Sequence, residues 1–95
     1  MKELWVDDCK PAPGGMPVAR TYDDALHMLR RFDWDLVYLD HDLGEDHRTG
    51  YDLLKQIIAD GRAPEHLKCI SWNPSGKQRI EALWQEHIRQ REAIQ

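Results

Sequence analysis

The chain has two cysteines, one phenylalanine and no apolar run near the roughly 20 residues needed to span a bilayer. Cys9 and Cys69 form no Cys-x-x-Cys spacing and no disulfide framework, which leaves two reduced thiols and no Cys and His set for structural zinc. An excess of basic charge is also missing. With 13 Lys and Arg against 17 Asp and Glu the net charge is -4, so there is no general attraction for duplex nucleic acid, and any polyanion must be met by a local basic site. The start at Met1, Lys2 and Glu3 lacks the apolar stretch of a signal peptide, so a cytoplasmic setting without membrane contact is expected. No internal repeat or low-complexity segment is present. The length of 95 residues suits a single domain, 1–95, with one core.

What is present is an alternation of strand and helix patterns. Leu4 to Val6 reads as a short strand, and the segment from Cys9 to Pro17, with Pro11, Pro13, Gly14 and Gly15 inside it, forbids a regular helix and predicts a loop. Val18 to Arg20 is a brief second strand. Thr21 with Asp24 three residues on is a helix start of the capping-box kind, and Ala25, Leu26, Leu29 and Phe32 carry helical spacing to an end near Arg31 to Asp33. Leu36 to Leu39 is continuously apolar, the pattern of a central strand covered on both faces. A polar loop from Gly44 to Gly50, containing Glu45, Asp46, His47 and Arg48, precedes a helix face of Tyr51, Leu53, Leu54, Ile57 and Ile58, stopped by Gly61 and Pro64. Leu67 to Trp72 reads as the next strand. Asn73 and Pro74 then open a last helix with Ile80, Leu83, Trp84 and Ile88 on one stripe. This order predicts an α/β fold, a three-layer parallel sheet with right-handed crossovers, helices on both faces and ligands at the strand C-terminal ends.

The expected ligand rim is acidic. Asp7 and Asp8 end the first strand; Asp40 and Asp42 end the central one, with His41 between them. Carboxylates about 6 Å apart repel by roughly 3 kcal/mol per pair at an effective dielectric near 20, so three of them together approach the ~5–15 kcal/mol stability of a domain. Such a cluster calls for a bound proton, solvent screening or a hard cation, and Mg²⁺ suits an all-oxygen donor set that leaves room for water and a phosphate oxygen. The alternative is that Asp7 and Asp8 only cap or turn the chain. His41 has two readings, general acid or base and a ring packed under a helix. His47 reads as a solvated loop residue, with metal or substrate contact as the lesser option.

A phosphate has a candidate seat in the segment from Asn73 to Arg79. There the N–H groups of a helix start face the rim, Lys77 adds charge and Gly76 permits close approach; a plain helix start with solvated Lys77 and Arg79 is the alternative. The spacing is not that of a Walker loop. Lys10 and Arg20, each just beyond a strand, are further candidate cations.

The segment from Asp35 to Gly44, continued through Thr49 to Ile57, resembles the central strand, loop and following helix of response-regulator receiver domains, and Val6-Asp7-Asp8 resembles their acidic first strand. The resemblance implies a flavodoxin- or receiver-like fold, here truncated to about four strands with no fifth strand and so without the lysine that strand carries. It implies Asp40 as phosphoacceptor, Asp7 and Asp8 as Mg²⁺-binding acids, Asp42 at the position whose backbone carbonyl reaches the metal, and Ser71 as the hydroxyl near the phosphoryl group. The chain is more similar still to the cyclic-phosphate-processing receiver family. That similarity runs through Leu4 to Asp8, Pro13-Gly14, Ala19 to Thr21, Leu39 to Gly44, Thr49 to Asp52, and Ser71 with Asn73-Pro74 and Gly76.

Two functions follow as expectations. The first is a Mg²⁺-dependent phosphoesterase (hydrolase) acting on a cyclic nucleotide or an RNA 2′,3′-cyclic end. Asp40 and His41 would be catalytic, Asp7, Asp8, Asp40 and Asp42 would serve the metal, and Ser71, Asn73, Ser75, Gly76, Lys77 and Arg20 the phosphate. The second is a non-catalytic phosphoacceptor or a module that binds a cyclic nucleotide or a partner. A homodimer through the Trp84 and Ile88 stripe is expected beside an open sheet edge.

Overall fold

Four short strands carry the apolar segments: β1 (Glu3–Val6), β2 (Val18–Ala19), β3 (Leu36–Leu39) and β4 (His66–Cys69), paired in parallel in the order β2-β1-β3-β4. Among the described residues three α-helices follow them, α1 (Tyr22–Arg31), α2 (Gly50–Ala59) and α3 (Pro74–Ile94), and a 3₁₀ turn, Pro13–Gly15, lies between β1 and β2. The computed structural model describes residues 2–44 and 47–94; Glu45 and Asp46 of the expected polar loop lie outside the described residues. The result is a four-stranded parallel α/β sheet with flanking helices, a receiver-like fold.

The layering differs from the expectation of helices on both faces. From β2 to β3 and from β3 to β4 the chain crosses the sheet in the same direction, so right-handed crossovers put α1 and α2 on one face, and α3 packs beside α2. Burial alternates accordingly. Leu4, Val6, Val37, Leu39 and Cys69 are buried under the helices, whereas Glu3, Trp5, Leu36 and Tyr38 on the opposite face are half-buried. Here the β1–β2 loop stands in for a helix, because Pro11, Pro13 and Pro17 exclude one. Trp5 packs on Tyr38 with ring centroids 5.2 Å apart and donates its indole N–H to the Lys10 carbonyl at 3.2 Å, tying the loop to the sheet.

Two further expectations shift. β4 ends at Cys69 rather than Trp72, since Ile70 N–H makes the last bond to β3, at Leu39 O, and the chain then turns into the start of α3. Ser71 and Trp72 therefore belong to the turn. The stripe of α3 is not left open for a second copy: Ile80 and Trp84 are buried in the core, and Leu83 and Ile88 pack against it. Among the described residues β4 pairs only with β3, and Lys77, Glu81 and Gln85 of α3 line a cleft beside it. Among the described residues no helix is long and apolar enough to cross a membrane.

The helix starts set the rim. Thr21 accepts Asp24 N–H at 3.1 Å. Thr49 and Asp52 form the complete reciprocal box, with Asp52 N–H to Thr49 Oγ1 at 3.3 Å and Thr49 N–H to Asp52 at 2.8 Å. That Thr49 N–H holds the Asp52 carboxyl below its usual range. The box seats Gly50 on the end of β3, where its N–H donates to His41 O at 2.7 Å and an added Cβ would lie 1.9 Å from Asp40 O. Only glycine fits there. Gly50→Ala is expected to destabilise the fold by at least about 2 kcal/mol, by overpacking against backbone, and Thr49→Ala by about 1 kcal/mol, by cap loss. Urea denaturation of both variants measures the order; equal stability of Gly50→Ala and the parent would contradict the packing described.

Candidate functional site

Register alone brings the acids together. Val6 pairs with Leu39 and Leu39 with Cys69, so the residues just beyond the strands, Asp7, Asp40 and Ile70, share one level at the C-terminal rim. The ladder continues into the site: Asp7 N–H donates to Ala19 O at 3.2 Å and Asp40 N–H to Val6 O at 2.9 Å. Asp7 is wholly buried, at 0% exposure, and Asp40 nearly so. Asp40 Oδ1 accepts His41 N–H at 2.8 Å, and Asp7 Oδ2 accepts Lys10 N–H at 3.0 Å.

Asp7 Oδ1 is buried with no hydrogen-bond partner. Burial pushes the Asp7 carboxyl above its usual range, and the adjacent Asp40 carboxyl adds to the rise, against the opposing effects of Asp8 and Lys10. An orphaned carboxylate oxygen beside a second buried acid is a destabilised arrangement for the protein alone and a suitable one for a cation. Asp7, Asp8 and Cys9 bring ligand atoms within 4.8 Å of one another. Desolvation and the Asp8 and Asp7 charges push the Cys9 thiol up, and the carboxylates of the group are hard oxygen donors of the kind that suits Mg²⁺. Asp42 is turned elsewhere: its exposed carboxylate lies 3.2 Å from His41 Nδ1.

His41 takes the packed alternative. Its ring sits under the first turn of α3, where a Cβ on Gly76 would come within 2.4 Å of His41 Cγ, and its Nε2 is buried without a partner. Gly76 thus makes room for an imidazole rather than for a phosphate. The start of α3 is likewise occupied by its own cap: Asn73 Oδ1 accepts Gly76 N–H at 3.1 Å and the Ser75 hydroxyl at 3.0 Å, and Lys77 N–H bonds Asn73 O at 2.8 Å. Lys77 lines the cleft beside β4 instead of turning to Asp40. Ser71 is buried at the rim, and its Oγ accepts Asn73 N–H at 3.0 Å, leaving the hydroxyl hydrogen to donate. His47 is exposed.

The cations of the β1–β2 loop divide between two tasks. Arg20 donates to Lys10 O at 2.6 Å and Asp7 O at 3.2 Å, which makes it a tether of the loop. Lys10, held at its backbone by Arg20, Trp5 and Asp7, sends its ammonium across the rim to Ile70 O and lies 4.6 Å from the centroid of the Trp72 ring. A lysine from the first loop therefore reaches the Ser71 side of the site. The sequence signals Lys10 only by its place after a strand. Trp72 has no sequence signal beyond following an apolar segment, and the steric role of Gly50 is invisible without the packed neighbours.

The description "cyclic-phosphate processing Receiver domain" matches residues 2–86. No curated protein and no solved structure gives a significant match.

The raised Asp7 carboxyl has a signed consequence for metal-free protein. Native Asp7 holds its proton more tightly than the unfolded chain does, so its contribution to stability is fully present below about pH 3.8 and is lost as pH rises through the raised native value. Asp7→Asn keeps the acceptor for Lys10 N–H and removes the charge. In EDTA the variant is expected to be more stable than the parent at pH 7, with the difference shrinking toward pH 4; urea denaturation across that range measures it, and a less stable variant at pH 7 would contradict the desolvation argument.

Proposed function

The chain belongs to the cyclic-phosphate processing receiver domains, and from this membership and the rim geometry we propose that it is a Mg²⁺-dependent phosphoesterase that opens a cyclic phosphodiester of a nucleotide or an RNA end. The observation that carries the reading is the buried Asp7 and Asp40 pair with its orphaned Asp7 oxygen. Asp7, Asp8 and Asp40 would hold the ion, with the Asp42 backbone carbonyl as the further donor that the family implies. When bound, Mg²⁺ neutralises charge on the phosphate and polarises its P–O bonds.

The chain's own groups do the rest. Asp40 attacks phosphorus, one ring P–O bond breaks and the leaving ribose oxygen takes a proton from solvent; water then cleaves the aspartyl phosphodiester, releasing a monoester and restoring the carboxylate. His41 supports this step by position rather than as the proton donor, since Nε2 is sealed and Nδ1 is engaged by Asp42. Lys10 keeps two of its three ammonium hydrogens after bonding Ile70 O, and with the Ser71 hydroxyl it offsets charge on the phosphoryl oxygens.

The second reading, a phosphoacceptor, is favoured by one observation: Lys10 brings a cation to the rim of a fold whose fifth strand and lysine are absent among the described residues. Intact mass after incubation with acetyl phosphate and Mg²⁺ separates the two. A persistent phosphoryl adduct lost in Asp40→Asn supports the switch, and turnover of cyclic substrates without one supports the enzyme.

Two outcomes test the enzyme reading. Monoester release from a panel of 2′,3′- and 3′,5′-cyclic substrates should fall at least about 100-fold in Asp40→Asn and by a similar factor in Lys10→Met; no release by the parent protein would end the reading. Mg²⁺ at a hundred times its dissociation constant should stabilise the parent protein by about 2.7 kcal/mol in urea denaturation and leave Asp7→Asn unmoved.

A further inference from the structure

Trp72 is 85% exposed, while the only other exposed large hydrophobic among the described residues, Phe32, lies just past the C-terminus of α1, away from the rim. A tryptophan in water forgoes the burial that its size would reward, and nothing in the packing of the turn requires one there. The residue sits one position after the buried Ser71 and is linked to the acids through Lys10: the Lys10 ammonium lies against the indole, and the Lys10 backbone N–H is bonded to Asp7. The ring is therefore a flat π surface next to the Lys10 ammonium, following the rim residue Ser71, with most of its area open.

We infer that Trp72 is a stacking platform for a nucleobase, so that the ligand of this rim is a base-bearing cyclic phosphate. This assignment rests on the cyclic-phosphate reading of the site. A nucleobase is the occupant that fits: it is planar, every base offers a π face, and in a nucleotide it is joined to the phosphate through one sugar, as Trp72 is linked to Asp7 through Lys10. The neighbours of the ring in the turn are the polar Asn73 and Ser75 and the exposed Pro74, which give a protein partner little apolar surface beside the indole. Trp72 takes no part in the chemistry. It is a specificity residue that distinguishes a nucleotide from a bare cyclic phosphate.

The test compares 2′,3′-cyclic AMP with 1,2-cyclic glycerophosphate, a base-free cyclic phosphodiester, by calorimetric titration in Mg²⁺ of the full chain and of Trp72→Ala and Trp72→Phe. The parent protein should prefer the nucleotide by on the order of 10- to 100-fold. Trp72→Ala should lose that preference while keeping its affinity for the base-free probe, and Trp72→Phe should retain most of it. An undiminished preference in Trp72→Ala, or equal weakening of both probes, overturns the assignment. If the parent protein binds both probes equally, the stacking role alone fails; if it binds neither, the cyclic-phosphate reading fails and takes the stacking role with it. Unchanged thermal midpoints of the two variants establish that any loss is local.

Discussion

Two carboxylates forced side by side out of water set the terms for the rest of this structure. Parallel pairing of β1 with β3 gives Asp7 and Asp40 no freedom to separate, because both are anchored by ladder hydrogen bonds through their own N–H groups. Their repulsion is met partly within the chain, by the Lys10 and His41 backbone N–H groups, and is left unmet at Asp7 Oδ1. A protein that maximised stability would have an apolar pair at these strand ends. Keeping the acids costs stability in the protein alone, which is what the proposed cation site would offset.

The surroundings of the pair are built by close approach. Gly50 allows the start of α2 to rest on Asp40 O, and Gly76 allows the start of α3 to rest on the His41 ring, so the end of β3 is clamped from both sides. The clamp explains why His41 is a packed residue in spite of its position between two acids. It also explains why the cap of α3 is internally satisfied: a helix start pressed onto an imidazole takes its hydrogen bonds from Asn73 rather than from a ligand. The positive charge at the rim comes instead from the proline-rich loop, which delivers Lys10 across it and is tied to the sheet by the bond from the Trp5 indole to Lys10 O.

Much of this is readable from residues. The alternation of strand and helix patterns, the loop imposed by Pro11, Pro13 and Pro17, and the acids at two strand ends follow from local rules of spacing and backbone freedom; the family resemblance rests on the motifs from Asp40 to Gly44 and at Asn73-Pro74 with Gly76. The layering is less readable: Leu36 to Leu39 is apolar throughout, yet only Val37 and Leu39 are buried, because a continuous run does not reveal which face receives the helices. The expected strand through Trp72 is cut short for a similar reason, since its end depends on where β3 stops offering partners.

By itself, then, the sequence determined the order and type of the elements and the acids Asp7, Asp8 and Asp40 at two strand ends, because periodicity, turn chemistry and charge are properties of neighbours along the chain; the resemblance to a receiver-like family rested on its motifs, such as Leu39 to Gly44 and Asn73-Pro74 with Gly76. Only the tertiary structure decided that Asp7 is the orphaned acid, that His41 lies under Gly76, that Lys10 rather than Lys77 reaches the rim and that Trp72 stands in solvent beside it. Each of these depends on contacts between segments far apart in sequence, whose distances and burial are fixed by packing and register rather than by the residues at either end alone.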